Sequence, residues 1–403
     1  MRSSTFFRIS SLLPVLATLS FCSEPDSVPT TNSETDTSII NTDAIEASEW
    51  PYYRGDLAGT GFSGLTQINA QNVGRLEVAW RHSLRDDAAT DSRNPNSQAT
   101  PIVVAGTMFL PTVNSIIALD PATGALLWEH EVESGRPSRR GVSYWPGTTV
   151  EAPRLFFTTG MELHALDAST GEPVSSFGTA GSVDLITPYL SVPLVHDDIV
   201  VVGANTPPGA EGGIGNPRAY SAISGEKLWE FSSVPQAGIA GNETWGDSGW
   251  QNRLGANAWP FYFTVDAERD LLYLPLASPI PFAYGGDRPG DNLYANSIVA
   301  VDLETGDYVW HFQTIHHDIW DHDPPAPPTL FDMSVNGEVI PDLAVTTKSG
   351  YLFILNRETG EALVDVEERS VAQSSVPGEF TSPTQPIPTV TPPMARVSFS
   401  MEE

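Results

Sequence analysis

The chain is short of cysteine, of basic residues and of long apolar runs. Cys22 is the only cysteine in 403 residues, so the chain has neither an internal disulfide nor a cysteine-based metal cluster. Lys and Arg number 20 against 50 Asp and Glu, a formal charge of -30. A surface of that sign repels nucleic acid and anionic lipid and argues against both as partners. Past the first 22 residues no apolar run reaches the roughly 18 residues a membrane-spanning helix needs. With 33 Gly and 34 Pro the sequence calls for many turns and few long helices. Its length suits two ordinary domains or one large β architecture.

The N-terminus has the pattern of an export signal. Arg2 and Arg8 flank a short polar start, and "ISSLLPVLATLSF" (9–21) is apolar but too short for a stable anchor. Residues 1–22 are therefore expected to be a signal peptide. Cys22 admits two readings: the lipidated residue of a bacterial lipoprotein, tethering the chain to a membrane, or one of the small pair, with Ser20, at an ordinary cleavage site. Residues 23–49 are polar and poor in aromatics, as a flexible linker would be.

From Trp50 onward the dominant signal is self-similarity. "SIIALDPATGALLWEHEV" (115–132), "ELHALDASTGEPVSSFG" (162–178), "RAYSAISGEKLWEFSSV" (218–234), "SIVAVDLETGDYVWHFQ" (297–313) and "GYLFILNRETGEALVDV" (350–366) share one plan. An alternating apolar strand runs into Asp or a substitute, then Thr/Ser-Gly, then a second strand that usually closes on Trp. The polar residues cap a tight turn, and glycine supplies its positive φ. Gly124, Gly171, Gly225, Gly306 and Gly360 lie 47, 54, 81 and 54 residues apart. A period near 50 is that of a four-stranded propeller blade. The 81-residue interval predicts about thirty extra loop residues in one unit. Trp80, Trp128, Trp229 and Trp310 recur at matching places and are expected to wedge between blades. The fold expected for 50–403 is an all-β propeller of about five units, open rather than closed, with exposed strand edges and a proline-rich, loosely packed tail after about Ser370.

One stretch breaks the pattern. "HFQTIHHDIWDHDPPAPP" (311–328) crowds His, Asp and Trp ahead of a proline run. A transition-metal cluster, a polar turn and a catalytic carboxylate in a central pocket all fit it. Adjacent His316 and His317 would point opposite ways on a strand, and the prolines exclude a following helix, so the carboxylate reading is favoured.

The region from "WPYYRGDLAGTGFSGLTQINAQNVGRLEVAW" (50–80) through "RGVSYWPG" (140–147), "GNETWGDSGWQ" (241–251), "YGGDRPGDNLYANSIVAVD" (284–302), the 311–328 stretch and "VPGEFTSPTQPIPT" (376–389) resembles, in the same order, the quinoprotein dehydrogenases. These are propeller enzymes that use pyrroloquinoline quinone (PQQ). The resemblance implies an eight-bladed ring, of which about five units are visible here. It implies PQQ and Ca²⁺ or another divalent cation as cofactors, a sugar or alcohol substrate, and a quinone or cytochrome acceptor.

Residue by residue, it implies that Asp321, after Trp320, is the general base and that Lys348, 27 positions on, donates to the reactive carbonyl of PQQ. Arg140 matches a contact to the cofactor's acidic edge, and Trp259 matches the ring that stacks on it. Glu211 and Ser278 match ligands of the divalent ion, and His317 is a candidate to orient the base. Alcohol-oxidising members carry two adjacent cysteines where this chain has Ser134 and Gly135, and arginine where it has Lys348. Both departures favour the glucose-dehydrogenase-like branch. The expected location is periplasmic or cell-envelope, with lipid anchoring if Cys22 is modified. A non-catalytic propeller scaffold of the cell envelope is the alternative; it would keep the hairpins but has no need of Asp321 and Lys348 at this spacing.

Overall fold

Each repeat closes the same turn. The carbonyls of Asp120, Asp167, Ser221, Asp302 and Asn356 accept the amide of the glycine four residues on, at 2.8–2.9 Å. Their side-chain oxygens accept the amide three residues on, at 2.8–3.2 Å. The turn glycines have φ between 72° and 77°, a region that L side chains rarely occupy. At four of the five a second demand applies. A Cβ on Gly124, Gly171, Gly306 or Gly360 would lie within 2.6 Å of the ring of Trp80, Trp128, Trp229 or Trp310 respectively. Each indole N–H donates to a carbonyl of the unit it wedges into, at 2.9–3.2 Å. At Gly225 the wedge is instead Val183 and Phe177, because the second repeat has no tryptophan.

The computed structural model describes residues 49–84, 98–205, 215–253, 262–335 and 337–397. The signal peptide expected at 1–22, with Cys22, lies outside the described residues, as does nearly all of the expected linker. Four antiparallel four-stranded sheets follow one another. The first holds β1 (Ile102–Val104), β2 (Thr107–Pro111), β3 (Ser115–Leu119) and β4 (Leu126–Glu131). The second holds β5 (Ser143–Trp145), β6 (Arg154–Thr158), β7 (Gly160–Asp167) and β8 (Ser182–Tyr189). The third holds β9 (Leu194–His196), β10 (Ile199–Val202), β11 (Arg218–Ser221) and β12 (Lys227–Glu230), and the fourth β13 (Thr264–Asp266), β14 (Leu271–Pro275), β15 (Ser297–Asp302) and β16 (Tyr308–Gln313). A three-stranded sheet of β17 (Thr329–Val335), β18 (Glu338–Thr346) and β19 (Leu352–Asn356) comes next, then a hairpin of β20 (Val366–Ser370) and β21 (Thr384–Pro388).

Side chains alternate across each sheet into the gaps on its two sides. Leu155 and Phe157 pack toward the first sheet and Phe156 toward the third. Val200 and Val201, then Leu272 and Tyr273, repeat the division further along. Burial on both faces makes inner strands such as β3, β6, β10 and β14 predominantly apolar. The first strands of successive sheets approach one another, β5 beside β9 and β13 beside β17, as around a propeller axis. Residues 50–58 link distant sheets there. Trp50 pairs with Val103, and the carbonyls of Leu57 and Ala58 accept the amides of Val265 and Leu330. Among the described residues no strand joins the fifth sheet back to the first, so the sheets form an open, partial propeller.

Three details differ from the sequence reading. In the second and fifth repeats the turn does not lead straight into a strand; it makes only isolated bridges, Leu166 with Pro173 and Leu355 with Ala362. Among the described residues, the extra chain in the 81-residue interval is split between 231–253, after β12, and an excursion at 276–296. The tail after Ser370 is not loose: β21 pairs with β20 over five residues, and Thr381, Ser382 and Gln385 are buried. Its prolines do not prevent pairing, because each edge of so short a hairpin needs only alternate amides.

Candidate active site

Beyond β16 the chain leaves the sheet as a loop, 314–323, pinned from several sides. Its hub is Asp318, buried at 1% exposure. One carboxylate oxygen accepts the Trp320 amide at 2.9 Å. The other accepts the His322 amide at 2.8 Å, the Asn296 side-chain amide at 2.9 Å and the Ser278 hydroxyl. The guanidinium of buried Arg288 donates to the Asp318 carbonyl at 2.5 Å and to Asn292 at 2.7 Å. Burial pushes Arg288 down to about 10, with Asp318 and Asp287 opposing the fall and Arg253 adding to it. Arg288, Asn292 and Asn296 all come from the excursion at 276–296. The non-repeating segment thus serves to hold the loop.

So held, the loop presents Asp321 to Lys348, which sits in the turn between β18 and β19. The ammonium lies 2.9 Å from an Asp321 carboxylate oxygen and also contacts Asp323. Asp321 is 39% exposed and Asp323 only 2% by side chain, so the lysine spans from a buried carboxylate to an accessible one. Asp323 is fixed by the Ser278 amide at 2.7 Å, and its carbonyl accepts the Lys348 amide at 3.0 Å. Burial raises the Asp323 carboxyl above its ordinary value despite the bonds from Lys348 and Ser278. Burial acts to lower Lys348, but the bonds and charges of the two carboxylates outweigh it and leave the amine raised. Lys348 is therefore a cation at any physiological pH. The arrangement offers an accessible carboxylate that can accept a proton and a fixed positive charge beside it.

Of the residues singled out in the sequence, Asp321, Lys348 and, through Asp323 and Asp318, Ser278 come together. His317 does not touch Asp321. Its ring stacks on Phe380 with centroids 4.1 Å apart, and its Nδ1 lies 2.8 Å from the Gly290 carbonyl. Burial lowers its pKa, which favours neutral imidazole. Arg140 lies on another part of the arc, donating to the Leu190 carbonyl at 3.0 Å. Glu211 and Trp259 lie outside the described residues. The three imidazoles of the loop diverge. His316 faces Gln313 and Glu368, His317 faces Gly290, and His322 stacks on Trp320. Among the described residues no group of three or more His, Cys, Asp or Glu is arranged to hold a metal ion, so the transition-metal reading of the stretch gains nothing here.

Sequence reasoning gave no role to Asp318, Asp323, Asn296, Arg288 or Gln385. All lie inside the quoted motifs, and the alternation of acids through "HHDIWDHD" was the available signal: one acid to fold the loop, one to face outward and one to face the lysine.

Residues 50–403 match the family model described as "Glucose/ethanol/alcohol dehydrogenase, beta-propeller domain". The chain is 32% identical over 389 residues to the quinoprotein glucose dehydrogenase of Gluconobacter oxydans, covering 87% of this chain and 47% of that protein. It is 32% identical over 376 residues to the quinoprotein glucose dehydrogenase of Escherichia coli, covering 85% and 46%. Among solved structures it superposes on the quinohemoprotein alcohol dehydrogenase from Comamonas testosteroni with a TM-score of 0.70 and 27% identity, covering 87% of this chain and 53% of that one. The chain spans about half the length of the curated relatives it matches. The repeat turns, the tryptophan wedges and the match over the whole of 50–403 give one answer: this chain belongs to the PQQ-type glucose/ethanol/alcohol dehydrogenase β-propeller family.

Proposed function

We propose that this propeller carries the reaction centre of a PQQ- and divalent-cation-dependent dehydrogenase that oxidises a CH–OH group of a sugar, polyol or other alcohol and passes the electrons to a quinone or cytochrome. The observation that carries the reading is the contact of Asp321 with Lys348 at 2.9 Å, open on one side and anchored on buried Asp323 at the other. Bound PQQ supplies hydride acceptance, which no side chain here can perform. Asp321 takes the proton of the substrate hydroxyl, since its carboxylate is accessible and held by a cation. Lys348 presents fixed positive charge to whatever oxygen gains electrons, as a point-charge donor and not as a bidentate fork. Oxygen donors flank Lys348, the Asp321 and Asp323 carboxylates, with the Ser278 hydroxyl nearby on Asp318, and donors of this kind suit a hard ion such as Ca²⁺. Asp321 and Ser278 would hold such an ion, with Glu211 as a further ligand, while Arg140 and Trp259 would contact the cofactor. Lysine at 348, together with Ser134 and Gly135 in place of a cysteine pair, supports the glucose-dehydrogenase-like branch. The apolar, arginine-flanked start supports export to the periplasm, with Cys22 as the lipid attachment point.

The test is reconstitution of the chain with PQQ and Ca²⁺ and a dye-linked assay across sugars, polyols and simple alcohols. Asp321→Asn should lower turnover by about 10²–10⁴-fold, the worth of a general base, while PQQ binding stays close to wild type. Undiminished turnover in Asp321→Asn would show that another group takes the proton.

A further inference from the structure

The β20–β21 hairpin belongs to no propeller sheet, yet it grips the loop that carries Asp321. The Gln385 side chain spans the His316 backbone in both directions. Its carbonyl accepts the His316 amide at 2.8 Å and its amide donates to the His316 carbonyl at 2.8 Å. This is the pairing a neighbouring strand would give, made by one side chain across 69 residues of sequence. Gln385 is 4% exposed, so neither bond competes freely with water. Three more contacts lie alongside. Phe380 stacks on His317, Glu379 accepts the Gly285 amide at 3.2 Å, and Glu368 of β20 meets the His316 ring at 3.1 Å. The other flank of the loop is held by Arg288 and Asn296. Lys348 holds the 321–323 end, but without the hairpin residues 314–317 would be secured from the 276–296 side alone.

We infer that Gln385 is a positioning residue for Asp321, and that the hairpin fixes the geometry of the reaction centre without touching it. This rests on the function proposed above for Asp321, but its structural half can be measured without any cofactor. Gln385→Met keeps the side-chain volume and removes both hydrogen bonds. In the full chain, hydrogen–deuterium exchange of the 314–323 amides should rise roughly tenfold or more, with β14 and β15 unchanged, because two buried bonds are lost locally. Gln385→Glu keeps the acceptor for the His316 amide but loses the donor, and should fall between wild type and Met. After reconstitution with PQQ and Ca²⁺, turnover of Gln385→Met should fall about tenfold while PQQ affinity, followed by tryptophan quenching, shifts less than about threefold, since a misplaced base slows chemistry more than binding. Unchanged exchange over 314–323, or a rise spread evenly over all sheets, overturns the inference. So does a matched loss of PQQ affinity and turnover, the mark of a merely structural role. Should wild type itself fail to turn over any alcohol or sugar, the proposed activity is what fails, and the exchange measurement still decides whether Gln385 fixes the loop.

Discussion

Replacing Asp318 by Asn removes a charge and leaves the shape. The wild-type carboxylate accepts four hydrogen bonds, one on the oxygen facing Trp320 and three on the oxygen facing Ser278, Asn296 and His322. An asparagine can keep only one oxygen, so its better orientation places that oxygen toward the three donors and turns its own N–H₂ at the Trp320 amide. That costs one bond and sets two donors against each other, about 1–3 kcal/mol. The three surviving bonds lose their charge assistance, roughly 0.5–1 kcal/mol each. Arg288, packed against this residue with no exposure, loses a nearby negative charge. Against these losses stands the relief of no longer burying a carboxylate. The net is about 3 kcal/mol, centred on the loop. Hydrogen exchange should show the Trp320 and His322 amides losing roughly a hundredfold of protection, and denaturant titration should show a lower midpoint with an unchanged slope. A loss under about 1 kcal/mol, with both amides still protected, would refute the hub role assigned to Asp318.

Two further changes test the surroundings. A Cβ on Gly285 would lie 2.4 Å from His317 Nε2 and 2.9 Å from Ile319 Cγ2; Gly285→Ala should therefore cost about 1–3 kcal/mol in thermal or denaturant unfolding, and a neutral result would mean that the His317 ring moves freely. Asp342 on β18 is fully buried, and burial together with nearby Asp332 raises its pKa to about 6, with Arg357 opposing. Because its folded pKa exceeds the ordinary 3.8, its contribution is fully present below about pH 4 and is lost as pH rises through about 6, by at most about 3 kcal/mol. Asp342→Asn should flatten the fall in melting temperature between about pH 4 and 6, and an unaltered profile would remove Asp342 as its source.

The blades were legible because each is written locally. A five-residue turn with its own caps, a glycine at positive φ and a tryptophan at a fixed remove together specify both the hairpin and its contact with the next sheet. Asp321 and Lys348 were singled out by the resemblance, which carried their 27-residue spacing, and the loop after β16 and the turn after β18 bring them within 2.9 Å. What could not be read was whatever depends on a side chain meeting backbone far away in sequence. Gln385 reaches His316 across 69 residues and Arg288 reaches Asp318 across 30, and neither pairing leaves a periodic trace. The tail misled for the same reason: proline density suggests loop, whereas its order comes from the β20–β21 pairing and from buried Gln385, Thr381 and Ser382.

The backbone of the loop explains why so many segments are committed to it. His317 and Asp321 both adopt left-handed φ, 48° and 62°. For residues other than glycine such conformations cost about 1–3 kcal/mol each and persist only where the surroundings over-determine them. Left to itself, the segment would relax and swing the Asp321 carboxylate away from Lys348. The constraints that prevent this come from two places outside the loop: the 276–296 excursion through Ser278, Arg288 and Asn296, and the tail through Gln385. The repeats set where the site lies, and the segments that interrupt the repeat set its geometry. A carboxylate and a cation fixed before any substrate arrives need little reorganisation when charge develops, the condition under which electrostatic stabilisation is strongest.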